Sequence, residues 1–210
     1  LVALPFYAAG SFLAEAAPTL ERDHGATRRY DSPRSEYMEH LFVGWRSPVL
    51  GALTGMLVAL ALLRLGLSRR LSFIAGLGYG GSTFAWPQAL SDLSDVQATA
   101  FVALGCYSLL IMHQQPSRRA ALVLGVSAGL AFLTRTGCAP LILCLDGAFL
   151  LACRSGQAPA DVELSEVRAG RRRMLLFGLV PQLACVGLWL WLNQLRFGAP
   201  LDSGYGEALR

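Results

Sequence analysis

Long uncharged apolar stretches, separated by short segments that carry arginine, are the feature that most constrains this chain. Only 15% of its 210 residues are charged, whereas a soluble domain carries roughly 25%. A helix that crosses a bilayer needs ~20 mostly apolar residues. We therefore predict an all-α fold, a polytopic transmembrane helix bundle with about six spanning helices: Pro48–Leu63, Leu71–Ser91, Val96–Met112, Ala120–Thr134, Gly137–Ala152 and Met174–Leu192.

The segment before the first predicted span divides into an apolar and a polar part. Leu1–Ala17 is apolar but short and contains Pro5 and Gly10, so it is either the tail of a spanning helix or a helix that lies in the membrane interface, and we favour the second. Thr19–Ser47 is the most polar segment and is expected to be an external loop. The predicted organisation is an interfacial helix and external loop in 1–47, a transmembrane bundle in 48–192, and the start of another external loop in 193–210. Because the chain begins inside an apolar stretch without methionine, we expect a fragment truncated at both ends.

The arginines of the short loops predict the orientation of the bundle. Among the short loops, ten arginines share one side and only Arg135 and Arg196 share the other if all six stretches cross; the ten are Arg64, Arg69, Arg70, Arg118, Arg119, Arg154, Arg168, Arg171, Arg172 and Arg173. The longer Thr19–Ser47 loop is the exception, because its five arginines would be external beside five acidic residues. Basic loops stay in the cytoplasm, so the first side is predicted to be cytoplasmic. This bias also explains the net charge of +4, so we expect no nucleic-acid partner.

The predicted topology brings polar residues to the external face at three points. The first is an acidic stretch with Asp92 and Asp95, which follows Trp86-Pro87. A carboxylate there could act as a base, bind a sugar hydroxyl or hold a metal ion. Alternatively, Asp95 or Ser94 only caps the next helix, a role that both residue types perform well.

The second point is Arg135, which lies between two threonines in a very short external turn. Arginine at this place opposes the inside bias and favours an anionic partner, and its planar fork suits phosphate. Alternatively, its side chain extends to lipid headgroups.

The third point is Asn193–Tyr205, directly after the last span. Gly198 and Pro200 predict the end of a helix and a turn, with Asn193, Arg196 and Tyr205 around it. The alternative is an interfacial anchor. Two arginines and a carboxylate on one outer face fit a lipid-linked phosphate substrate.

Asp146 is the lone acid within a predicted span, toward its cytoplasmic half. An intramembrane carboxylate is a functional candidate, but a helix–helix hydrogen bond or protonation explains this one better.

Gly125 and Gly129 form a GxxxG pattern, which permits close helix approach. Spacing typical of metal ligands is missing from the five cysteines and three histidines. We expect no cofactor, although a divalent metal remains an alternative.

Four segments, in order along the chain, also carry a family resemblance. They are Leu4-Pro5-Phe6-Tyr7 with Gly10, Trp86 through Asp95, Gly129-Leu130-Ala131-Phe132-Leu133-Thr134-Arg135, and Asn193-x-x-Arg196-Phe197-Gly198-x-Pro200 with Gly204-Tyr205. In this order and spacing the chain resembles the bacterial polyprenyl-phosphate-sugar-dependent membrane glycosyltransferases of the GT-C class, which are related to protein O-mannosyltransferases and aminoarabinose transferases.

The resemblance implies an inverting transfer of a sugar from an undecaprenyl- or decaprenyl-phosphate donor to a cell-envelope acceptor, on the external face of the cytoplasmic membrane. It assigns binding or supporting roles to Asp95, Arg135, Asn193, Arg196 and Tyr205. The family's catalytic aspartate is expected upstream of Leu1, so the catalytic residue is unknown. The alternative functions are a multi-pass transporter or flippase component for a lipid-linked anion, and a non-catalytic membrane scaffold.

Overall fold

A computed structural model describes residues 4–16, 37–82, 94–155 and 164–201, and every regular element within these ranges is helical. The helices are α1 (Leu4–Ala16), α2 (Tyr37–Arg64), α3 (Arg69–Ser82), α4 (Ser94–Gln114), α5 (Arg118–Thr134), α6 (Ala139–Ser155) and α7 (Leu164–Phe197), with one 3₁₀ turn (Thr136–Cys138) before α6. The predicted all-α class is confirmed.

Four segments within the described ranges are long and apolar enough to cross a membrane: Leu41–Arg64, Ser94–Gln114, Thr136–Cys153 and Ala169–Phe197. We had predicted about six spanning helices. Helix α5 has 17 residues and reaches only about 25 Å at 1.5 Å per residue, less than the ~30 Å of a hydrocarbon core. Helix α3 is described only as far as Ser82, so the rest of the predicted span Leu71–Ser91 lies outside the described residues.

Helix α2 begins earlier than the sequence indicates. We predicted that the first span starts at Pro48, but the helix begins at Tyr37 and passes through Pro48. The apolar residues before Pro48 continue the helix, and Arg46 and Ser47 are buried within the bundle. Proline in a helix interior costs a backbone hydrogen bond, which is why the sequence suggested a boundary there.

The outer surface of the helices is strongly apolar. Leu143, Leu183 and Phe73 are 70%, 65% and 63% exposed, and they lie on three different helices. Apolar surface on this scale is rare on soluble monomers and matches a surface that faces lipid. Together with the four spanning segments, it indicates a polytopic membrane protein.

Helix α5 lies at the centre, between α4 and α7. Its buried residues are nearly all small: Ala120, Ala121, Leu124, Gly125, Ser127, Ala128, Gly129 and Ala131. A Cβ atom at Gly125 would overlap the backbone carbonyl of Gly178 in α7, and one at Gly129 would lie 2.7 Å from Cys185 Sγ. The close approach predicted from the GxxxG pattern is therefore confirmed, and α7 is the partner helix.

The contact pairs along α5 fix the directions of its neighbours. Gly125 meets Gly178 and, further along both helices, the rings of Phe132 and Trp189 pack edge to face with centroids 5.4 Å apart. Helices α5 and α7 therefore run parallel. Helix α4 runs antiparallel to α5, since Asp95 at its start contacts Arg135 at the end of α5.

These directions divide the helix termini between two ends of the bundle. At one end, which we call the basic end, Arg64 Nη1 at the terminus of α2 donates to Gln114 Oε1 at the terminus of α4 (3.1 Å). Helices α3, α5 and α7 begin at this end and α6 finishes there, so the ten arginines expected on one side do lie together. Arg135 and Arg196 lie at the opposite end, which we call the Arg135 end.

Helix α1 packs against α2 and buries Gly10. Its 13 described residues cover about 20 Å. Its location in the membrane interface stays a prediction.

We expect Gly125→Ala to weaken the α5–α7 contact, because its methyl group must displace the backbone of Gly178. The free energy of unfolding in detergent should fall by about 1–3 kcal/mol, as for other overpacked cores. Gly187→Ala in α7 is the matched control, since nothing lies within 4 Å of its Cβ position. It should leave stability unchanged or slightly raised. Equal stability of the two variants would contradict the close contact.

Candidate functional site

An ion pair between Asp95 and Arg135 is the centre of the Arg135 end. Arg135 Nη1 contacts Asp95 Oδ1, with side-chain exposures of 52% and 27%. Asp95 belongs to the first turn of α4, and Arg135 is the residue that ends α5. The two residues are far apart in sequence and meet because α4 and α5 form an antiparallel pair.

The local backbone explains why Arg135 leaves its helix. Its φ and ψ are −153° and 109°, an extended conformation, while its N–H still donates to the carbonyl of Ala131. The last helical residue, Thr134, donates its hydroxyl to the carbonyl of Leu130 (2.7 Å). The extended residue projects the guanidinium away from the α5 axis and toward the start of α4.

Asp95 has two electrostatic roles at this position. A carboxylate in the first turn of a helix is stabilised by the helix dipole. It also places and partly neutralises the guanidinium of Arg135. A guanidinium has several N–H donors, and the carboxylate contacts Nη1, so donors remain for a further anion.

Arg196 lies in the last turn of α7 and is exposed. The helix ends directly after it, because Gly198 adopts φ +72° and its N–H donates to the carbonyl of Gln194 (3.0 Å). A glycine with positive φ is a common helix terminator, and this part of the prediction is confirmed. Arg196 and Arg135 therefore project from neighbouring helices at the same end of the bundle.

Asn193 occupies a different kind of position. Its side chain is buried, with 7% exposed, and its Nδ2 donates to the carbonyl of Pro200 (3.2 Å). This hydrogen bond folds the turn after Gly198 back over the end of α7. Asn193 thus holds the backbone beside Arg196. Asn193 itself is buried, so its role is to support the turn.

Two predicted site residues lie outside the described residues. Tyr205 belongs to 202–210 and Asp92 precedes the start of α4. Of the five predicted binding residues, the structure brings Asp95 and Arg135 into contact, and it sets Asn193 and Arg196 at the same end.

Arg46 was expected in the external loop Thr19–Ser47 but was not among the predicted site residues. Arg46 is only 7% exposed, and it meets Gln97 of α4 when the Gln97 amide is oriented with its oxygen toward the guanidinium. That oxygen then accepts from Arg46 Nε (3.0 Å) and Nη2 (3.2 Å). Gln97 follows Asp95 by two residues, so the contact lies near the ion pair. The apolar run just before Arg46, with Leu41 and Trp45, was the available signal that the helix already included it.

Asp146 makes the helix–helix hydrogen bond that its sequence position suggested. Gln182 Nε2 in α7 donates to Asp146 Oδ2 (2.8 Å). The pair lies near the middle of the spanning segment Thr136–Cys153, slightly toward the basic end as expected and away from the Arg135 end. Within the described ranges, no group of three or more His, Cys, Asp or Glu side chains could hold a metal ion.

No family model, curated protein or solved structure matches this chain. Its function must therefore be argued from the geometry of the Arg135 end together with the motifs described above.

A double-mutant cycle should detect the Asp95–Arg135 pair. With Asp95→Asn, Arg135→Gln and the double variant, we expect a coupling energy of about 0.2–1 kcal/mol, because both side chains are partly exposed. The coupling should shrink as salt is added. A parallel cycle that joins Asp95→Asn to Arg119→Gln, at the basic end, should give no coupling. Zero coupling for the first cycle at low salt would contradict the ion pair.

Proposed function

We propose that the protein is a membrane glycosyltransferase of the GT-C type, which moves a sugar from a polyprenyl-phosphate donor to a cell-envelope acceptor on the external face of the cytoplasmic membrane. The observation that carries this proposal is the Asp95–Arg135 ion pair, located at the same end of the bundle as Arg196.

Phosphate is the leaving group in such a transfer, so negative charge on its oxygens grows as the glycosidic bond breaks. Arginines that are already in place stabilise this charge more in the transition state than in the ground state. Arg135 and Arg196 are both exposed, and each offers the planar fork that suits a phosphate. Their location on adjacent helices supports binding of one phosphate between them.

Asp95 supports this arrangement by fixing Arg135. Because its carboxylate is engaged with a guanidinium, it is a weaker candidate for the base that deprotonates the acceptor. We therefore give Asp95 a positioning role and assign no catalytic base among the described residues. Asn193 has a comparable role toward Arg196, since it anchors the turn that follows.

The membrane surroundings suit a lipid-linked donor. A polyprenyl chain is apolar and would lie in the bilayer beside the exposed leucines and phenylalanines of the helices. Its phosphate would then lie at the level of the helix ends, where Arg135 and Arg196 are found. The ten arginines at the basic end favour that end in the cytoplasm, so the proposed site faces outward.

The transporter alternative requires a substrate site near the middle of the membrane, typically on interrupted helices. Among the described residues, the carboxylate and the amide at that depth are Asp146 and Gln182, which bond to each other. Helices α6 and α7 both remain helical past these residues, and Pro181 in α7 removes one backbone hydrogen bond there. The concentration of exposed charged groups at the Arg135 end therefore favours the transferase.

Arg196→Ala is expected to reduce sugar transfer from a polyprenyl-phosphate donor by roughly 10²–10³-fold, the usual loss for one transition-state donor. Arg135→Ala should have a similar effect, and Arg196→Lys should recover only part of the rate because the planar fork is lost. The assay uses membranes of cells that express the protein in its native context. Arg119→Ala, an exposed arginine at the basic end, is the control and should retain activity. Normal transfer by both Arg196→Ala and Arg135→Ala would overturn the proposed site.

A further inference from the structure

The Asp146–Gln182 contact contains two oxygen atoms without partners. Gln182 Nε2 donates to Asp146 Oδ2. In the part of the chain that the structure describes, the other oxygen of each side chain, Asp146 Oδ1 and Gln182 Oε1, is buried and accepts no hydrogen bond. The two unpaired acceptors thus belong to two side chains that already touch.

These two oxygen atoms need a hydrogen-bond donor between them. An ionised carboxylate has no donor, and the amide oxygen is also an acceptor only. Buried acceptors without partners cost free energy, and the cost is larger for a charged group. A single proton on Asp146 Oδ1 provides a donor, and Gln182 Oε1 is the acceptor still available on the neighbouring amide. Acid and amide then form a closed pair with two hydrogen bonds.

Among the described residues of α6 and α7, no arginine lies within one helical turn of Asp146 or Gln182 along its helix. Helix α7 carries Cys185 one turn beyond Gln182, where it packs against Gly129 of α5. Helix α4 presents Cys106 and His113 to another side of α6, where they line a cavity of about 650 Å³ with Ala148 and Ala152.

The arginines of α5 lie at its ends: Arg118, Arg119 and Arg135. Those of α7 are at least nine residues from Gln182 along the helix: Arg168, Arg171, Arg172, Arg173 and Arg196. On α6 itself, the other titratable residues are Cys144, Cys153 and Arg154, and Arg154 follows Asp146 by eight residues. The Asp95–Arg135 ion pair lies at the far end of the bundle.

We propose that Asp146 and Gln182 form a proton-binding site within the bundle, in which Asp146 is protonated at neutral pH and donates through Oδ1 to Gln182 Oε1. The proton is taken from water and returned to it. A neutral acid joins α6 to α7 without placing a charge in the hydrocarbon region, which is costly. A metal cation fits the pair poorly, because two oxygens are far fewer than the coordination shell of a hard cation requires. This inference does not depend on the proposed glycosyltransferase activity.

Infrared spectroscopy of the full chain in lipid tests the proposal, since a protonated carboxylic acid has a carbonyl stretch separate from that of a carboxylate. The difference spectrum between the wild type and Asp146→Asn at neutral pH should contain this band, and heavy water should shift it. The band should be the same in buffers with and without sodium chloride. If the difference spectrum contains only a carboxylate band, Asp146 is ionised and the proposal is wrong. If sodium removes the acid band, the site binds a metal cation and the proposal is also wrong.

Thermal unfolding and a second variant provide an independent check. Asn in place of Asp146 can make the same two hydrogen bonds to Gln182, so Asp146→Asn should unfold at the wild-type temperature at neutral pH. A large loss of stability in this variant would contradict a neutral Asp146. Gln182→Leu removes the partner, and the acid band should persist at a higher frequency because its hydrogen bonds are lost. An unshifted band in Gln182→Leu would contradict the pairing.

Discussion

The close contact between Gly125 and Gly178 is the constraint on which the rest of the bundle depends. Since a Cβ atom at Gly125 would overlap the backbone of α7, the two helices approach without side chains between them. This contact brings α5 and α7 together in parallel, and the ring contact of Phe132 with Trp189 keeps the same register further along. The parallel direction is what sets Arg135 and Arg196 at one end.

Several polar contacts within the described part of the bundle join two helices. Asp95 and Arg135 join α4 to α5, and Asp146 and Gln182 join α6 to α7. Gln97 joins Arg46 of α2 to α4. Uncompensated charge is costly in an apolar environment, so these pairs restrict how the helices assemble. Arg196 differs, because it is exposed at the end of α7.

Much of this architecture could be predicted from the sequence. Apolar runs predicted the helices, the GxxxG pattern predicted a close contact at Gly125 and Gly129, and alternating loops predicted which arginines share an end. The start of α2 could not be predicted, because Pro48 suggests a boundary and the burial of Arg46 depends on Gln97, a residue remote in sequence. The partner of Asp146 was likewise hidden, since Gln182 comes from another helix. Asn193 was expected among the binding residues, and its bond to the Pro200 carbonyl depends on a turn geometry that residue types alone do not specify.

The central claim is that the Arg135 end binds a lipid-linked phosphate. The most direct measurement is equilibrium binding of a short-chain polyprenyl phosphate to the purified protein in lipid nanodiscs, compared with the polyprenol of the same chain length. Because the two ligands differ only in the phosphate, binding through Arg135 and Arg196 predicts saturable binding of the phosphate, weakened by salt, and little binding of the alcohol. Equal binding of the two ligands would show that only the hydrocarbon chain is recognised, and would contradict the account.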